Sequence, residues 1–252
     1  MKNVVFEVSS WGRSRDGATE HRQYITSDKE YFVNNNSMKT ISDDEYGKVI
    51  KFIQEKMLGH SYKSDTIYDY GFTVKAIFEG NEISVSNVEP LYEEARLLFK
   101  EISGEIVTAE DLSKLENTYK KYNYYLVKDE LIENSVLYLE IRRTGMKFGE
   151  SLKIVTNDKL LYTASINCEN ILAELPDYDI KKIRVLSDDE YDKIINYIQK
   201  NIIGKQYRIE KVIRATTFGI YARYNYYSFG NFNNVKLYKK TDRFLRKKIK
   251  FD

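Results

Sequence analysis

The chain is poor in the residues that carry most catalytic and redox chemistry. Its 252 residues include one cysteine (Cys168), two histidines (His21 and His60) and one tryptophan (Trp11). A single cysteine excludes an intramolecular disulfide and fits a reducing compartment. Metal sites built on Cys and His need three or four ligands, and the whole chain offers three such side chains, so neither metal nor cofactor is expected. Cys168 paired with a histidine would make a thiol nucleophile; a buried or merely tolerated thiol is the commoner case. There is no GxxxxGK[ST] and no GxGxxG, which leaves no glycine loop to cradle a phosphate. Only two prolines, Pro90 and Pro176, and no low-complexity run argue against a floppy linker. No apolar stretch approaches the roughly 18 residues a membrane-spanning helix needs. The opening MKNVVFEVSSWGRSRDG has too short an apolar segment for a secretory leader, so a cytoplasmic protein with no membrane partner is expected.

The composition, 42% apolar and 31% charged, is that of a folded chain with room for one large domain or two of about 120 residues. Tyrosine is abundant, 22 residues, and with the Lys, Asn and Ile content suggests an AT-rich coding genome; a bacterial or phage-type source is expected only by association with the inhibitor reading given below. The net charge of +2 is unevenly spread. Residues 1–134 carry 17 Lys+Arg against 24 Asp+Glu, a net of −7; residues 135–252 carry 23 against 14, a net of +9. Such a split can steer partners of opposite sign.

The chain repeats itself. SDDEYGKVIKFIQEKMLG at 42–59 returns as SDDEYDKIINYIQKNIIG at 187–204, identical at ten of 18 positions. Each copy reads as a helix with its punctuation included. Ser42 and Glu45 have capping-box spacing, Asp43 and Asp44 meet the positive end of the helix dipole, and Gly59 stops the helix. Tyr46, Val49, Ile50, Ile53 and Met57 form one apolar face. A carboxylate or metal site at the paired aspartates is the alternative, but capping already accounts for them. The flanks repeat more loosely: Phe6-Glu7-Val8 resembles Leu139-Glu140-Ile141, residues 23–29 resemble 153–159, and Gly71–Ile77 resembles Gly219–Asn225.

These patterns predict an α+β fold of two tandem copies. Each copy is a hairpin, a further strand, the capped helix, two strands and a closing helix, its antiparallel sheet carrying helices on one face. A pseudo-twofold arrangement of the copies is expected. The expected domains are 1–104, a helical connector 105–134, and 135–252 with a basic C-terminal helix. A connector helix is expected from Ala109 to Lys121, the closing helix of the second copy from Asp242 to Lys250, and an insertion of about 15 residues in that copy near Asn167–Tyr178.

Two surfaces stand out. The first is the expected tip of the opening hairpin, with Trp11, Arg13 and Arg15, and its counterpart in the second copy, with Arg142, Arg143, Lys147 and Phe148. Aromatic and basic residues on exposed loops are enriched at binding hot spots; the alternative is a Trp11 folded back over the sheet. The second combines Arg223, Tyr224, Tyr226 and Tyr227 with Arg243, Arg246 and Lys247, a composition that can stack and pair with nucleic acid. No resemblance to a known family is evident. The reading is a non-enzymatic binding protein, an inhibitor or immunity-type or anti-defence factor that occludes a partner protein. Nucleic-acid binding through the basic second copy is the alternative. A carboxylate-dependent enzyme or a small-ligand binder at the repeat junction is the third class.

Overall fold

A computed structural model of the chain describes residues 3–14, 17–64, 70–143, 148–168, 176–207, 216–225 and 227–251. The chain divides into two compact units, Met1–Tyr122 and Asn123–Asp252. In the first unit, strands β1 (Val4–Ser14), β2 (Gly17–Thr26), β3 (Glu30–Val33) and β4 (Asn36–Thr40) precede helix α1 (Asp43–Phe52), which runs on into a π-helical turn, Ile53–Met57. Strands β5 (Tyr70–Phe78) and β6 (Asn81–Ser86) and helix α2 (Glu89–Ser103) follow. Helix α3 (Ala109–Glu133) then carries the chain into the second unit. That unit contains β7 (Ser135–Arg143), β8 (Phe148–Thr156), β9 (Leu160–Cys168), β10 (Asp177–Val185), α4 (Asp188–Asn201), β11 (Thr216–Tyr224), β12 (Tyr227–Phe232) and α5 (Val235–Phe244), the last ending in a π-helical turn, Leu245–Ile249. The two antiparallel sheets have the same order, β4-β3-β2-β1-β5-β6 and β10-β9-β8-β7-β11-β12. The fold is therefore α+β, and the two like units fit a tandem duplication.

The copies agree bond by bond. Ser42 and Ser187 each close a capping box with Glu45 and Glu190. Lys29 and Lys159, both at positive φ, pair with Asp43 and Asp188, the first aspartate of each helix, and sit over Tyr46 and Tyr191. Tyr62 donates to the Lys56 carbonyl as Tyr207 does to that of Asn201. Asn87 and Asn233, at φ 58° and 59°, each bond back to Phe72 and Phe218. These bonds correct the strand register read from sequence. Phe6 faces Ile25 and Ala76 as Leu137, not Leu139, faces Val155 and Ala222, and Phe72 corresponds to Phe218. A two-residue slip leaves every side chain on its original face, so alternation alone does not detect it.

Three elements differ in extent from the sequence expectation. The chain forms a second hairpin before each capped helix, where one strand was expected, and in the second unit this hairpin is the longer one. Helix α5 begins at Val235, capped by Asn234, seven residues before the expected start, because its exposed face is almost all lysine and masks Leu237, Tyr238, Thr241 and Leu245. Helix α3 is 25 residues long and absorbs Tyr119–Tyr125 rather than ending at Lys121.

Each core lies between one sheet face and its two helices. In the first unit Phe6, Val8, Val74 and Ala76 meet Val49, Ile53, Ala95, Phe99 and Ile102. In the second unit Leu137, Leu139, Ile220 and Ala222 meet Ile194, Ile198, Leu237 and Leu245. Burying each large side chain contributes about 1.5–3 kcal/mol. The second sheet has a further layer: Tyr124, Leu131 and Ile132 of α3 cover Leu152, Ile154, Ala164 and Ile166 on the opposite face.

Candidate functional site

Trp11 lies inside β1 rather than at a hairpin tip, because the first two strands extend to Ser14 and Gly17. It pairs with Glu20 on β2 and Gly71 on β5. Its indole lies against Gly71: a Cβ there would stand 2.5 Å from the ring nitrogen, so the close approach requires glycine. The ring is nonetheless 46% exposed, so it both folds onto the sheet and offers a face to solvent.

Where β5 begins, Trp11 joins Tyr70, Phe72, His21 and Tyr92 of α2 around a cleft of about 400 Å³. Three carboxylates reach its lining. Glu93 is buried and held by Arg96 and Lys114, both at 2.8 Å, and Glu89 is held by Lys121 at 2.5 Å. Glu20 has no ion-pair partner among the described residues. A smaller hollow of about 190 Å³ shares His21 and Tyr92 and continues past Arg96 and Lys100. Four aromatic rings and the Glu20 carboxylate, which Arg22 meets only at longer range, suit an aliphatic or cationic side chain better than an anion.

The remaining residues expected at the hairpin tips are differently placed. Arg142 lies in β7 and is neutralised by Glu140 at 2.9 Å and Glu150 at 3.4 Å; Arg143, beside it, is exposed. Arg13 sits in β1 and Phe148 opens β8; Arg15, Lys147 and Tyr226 lie outside the described residues.

Half-exposed Arg142 borders an ionic cluster, buried at Lys128 and Glu150, that sequence reading missed. Lys128 of α3 reaches Glu150 at 2.8 Å, with side chains 9% and 2% exposed, and its ammonium also lies 4.5 Å from the Tyr125 ring centre. Burial pushes the Glu140 carboxyl up, opposed by Arg142. Two cations balance two carboxylates, which is the composition of a structural ionic knot. Its only signal in the sequence is Glu150 among the strand residues of Phe148–Thr156. Among the described residues no group of three His, Cys, Asp or Glu is placed to hold a metal.

The second surface is divided. Arg223 donates to the Glu133 carbonyl at 2.5 Å, on the sheet face that carries α3, while Tyr224 packs into the core on the α4–α5 side. Tyr227 is exposed at the start of β12. Arg243, Arg246 and Lys247 are exposed on α5 and its π-helical extension, Arg246 paired with Asp242 at 2.9 Å. The same helix borders a shallow groove of about 390 Å³ lined by Lys193, Lys200, Lys248 and the Tyr197–Phe244 ring pair, which stack 4.1 Å apart. No family model matches the chain, and neither a curated protein nor a solved structure matches it.

Proposed function

We propose that this chain is a non-enzymatic binding protein that occludes a partner protein, and that the first unit makes the contact. The observation that carries the reading is the half-exposed Trp11 at the wall of the aromatic cleft. A large aromatic at a site that keeps half its surface in water contributes little to folding, yet it is the residue type most enriched where binding energy concentrates. The partner inserts an aliphatic or basic side chain between Trp11 and Tyr92, with Glu20 as its counter-charge. An inhibitor of immunity or anti-defence type fits this mode of action, since occlusion needs a shaped surface and no chemistry.

The test is purification of the wild-type chain and of Trp11→Ala from its native cells, with quantitative mass spectrometry. A stoichiometric protein held by the wild type and lost from the variant supports the reading. Recovery of the same protein in equal amount with both, or of none with either, overturns it.

A further inference from the structure

The two units use the same pair of helices in opposite electrostatic senses. In the first unit α1 and α2 are tied together across their outer groove by Lys56–Glu94 at 3.0 Å and Lys48–Glu101 at 3.2 Å. The capped helices align Lys48 with Lys193 and Lys56 with Asn201. The closing helices align Glu94 with Lys240. After the π-helical turn, which inserts one residue so that buried Ile249 takes the place of buried Ile102, Glu101 aligns with Lys248. Both acids of the first unit are thus lysines in the second. One tie survives as a hydrogen bond from Lys240 to Asn201 at 2.8 Å; at the other, Lys193 and Lys248 line the same groove and Lys193 turns to Asp189 at 2.5 Å.

The inversion extends along the whole element. Residues 89–104 carry two basic and four acidic side chains, whereas residues 235–250 carry eight basic and one acidic. That acid, Asp242, is already taken by Lys153 and Arg246. All eight basic side chains are exposed, along an element about 24 Å long. Like charges lining a groove repel one another, so their accumulation at positions that elsewhere in the same chain hold ion pairs calls for an external counter-charge. A row of this length suits a chain of anions rather than a single one. Phe244, partly exposed between Lys200 and Lys248, adds ring surface to the groove. Extended cationic character with an aromatic floor is the arrangement that holds single-stranded nucleic acid, phosphates on the lysines and a base against the ring.

We propose that the groove between α4 and α5 binds single-stranded nucleic acid, independently of the protein contact assigned to the first unit. Fluorescence anisotropy with a labelled oligothymidine of 20 nucleotides tests this on the full-length chain. The wild type is expected to bind, with log affinity falling against log salt at a slope of about −3 for four phosphate contacts. The variant Lys240→Glu/Lys248→Glu restores the acids of the first unit. It is expected to keep its thermal midpoint, since Lys193 and Asn201 then face carboxylates, and to lose at least tenfold in affinity at about 100 mM salt. Lys181→Glu/Lys182→Glu on β10 makes the same change in net charge and is expected to leave binding within twofold. Absence of binding, a loss in the β10 variant equal to that in the groove variant, tighter binding of a duplex of the same length, or binding only to anionic phospholipid vesicles would each overturn the assignment.

Discussion

Replacing Lys128 with methionine is expected to destabilise the chain by about 3 kcal/mol. The magnitude follows from the burial of the pair. Lys128 and Glu150 are 2.8 Å apart with almost no solvent at either head group, so removing the ammonium leaves a buried carboxylate short of its main counter-charge. Breaking a buried pair from one side costs roughly 3–5 kcal/mol. The lower figure applies here because Arg142 still lies 3.4 Å from Glu150 and the Tyr124 hydroxyl donates to it at 3.4 Å. Substituting both partners, Lys128→Met with Glu150→Leu, removes the desolvation cost along with the attraction. It is expected to recover most of the loss, leaving a cost well below the sum of the two single variants. Urea unfolding followed by far-UV circular dichroism measures this; tryptophan fluorescence does not, because Trp11, the only tryptophan, belongs to the other unit. A single variant that costs under about 1 kcal/mol, or a double variant that costs the sum of the two singles, would refute the reasoning.

Other consequences are equally open to measurement. Gly71→Ala places a methyl group inside contact distance of the Trp11 indole and should displace the ring; a changed emission maximum and a loss of about 1–3 kcal/mol are expected. Ser42→Ala and Ser187→Ala each remove half of a capping box and should each cost about 1 kcal/mol in urea unfolding. Glu190 is held down to about 2 by its bidentate pairing with Arg184, then by the Ser187 backbone N–H. A depressed carboxylate stabilises the fold above its unfolded pKa and loses that contribution as pH falls from about 4.5 towards 2. Arg184→Met should therefore raise the midpoint of acid unfolding, and an unchanged midpoint would count against the pairing.

Helix punctuation was legible in the sequence because it is specific to position. Ser42 with Glu45 and Ser187 with Glu190 could serve little else, and both capping boxes are formed. Strand register was not legible, because the faces of a strand are unchanged by a slip of two residues, and Glu7 and Glu140 looked equivalent although Tyr138 is the residue that occupies the place of Glu7. Helix α5 was concealed by the property that gives it interest: lysines dominate the pattern, and the buried Leu237, Thr241, Leu245 and Ile249 are thinly spaced among them. The long α3 was curtailed because its two parts bury different faces, Lys114 and Lys121 bonding to α2 while Tyr124, Leu131 and Ile132 cover the second sheet. Trp11 was visible as an anomaly of composition; its neighbours Tyr70 and Tyr92, brought in from β5 and α2, were not. The sign inversion between the helix pairs emerges only once the register is fixed.

The contact assigned to Trp11 is best read at Trp11 itself. A chain labelled with 5-fluorotryptophan gives one 19F resonance from that position, whatever the partner contains. Adding the unlabelled co-purifying protein should shift or broaden the resonance and shrink its solvent isotope shift as water leaves the ring. A resonance unmoved in a complex shown by light scattering to be fully formed would contradict the account.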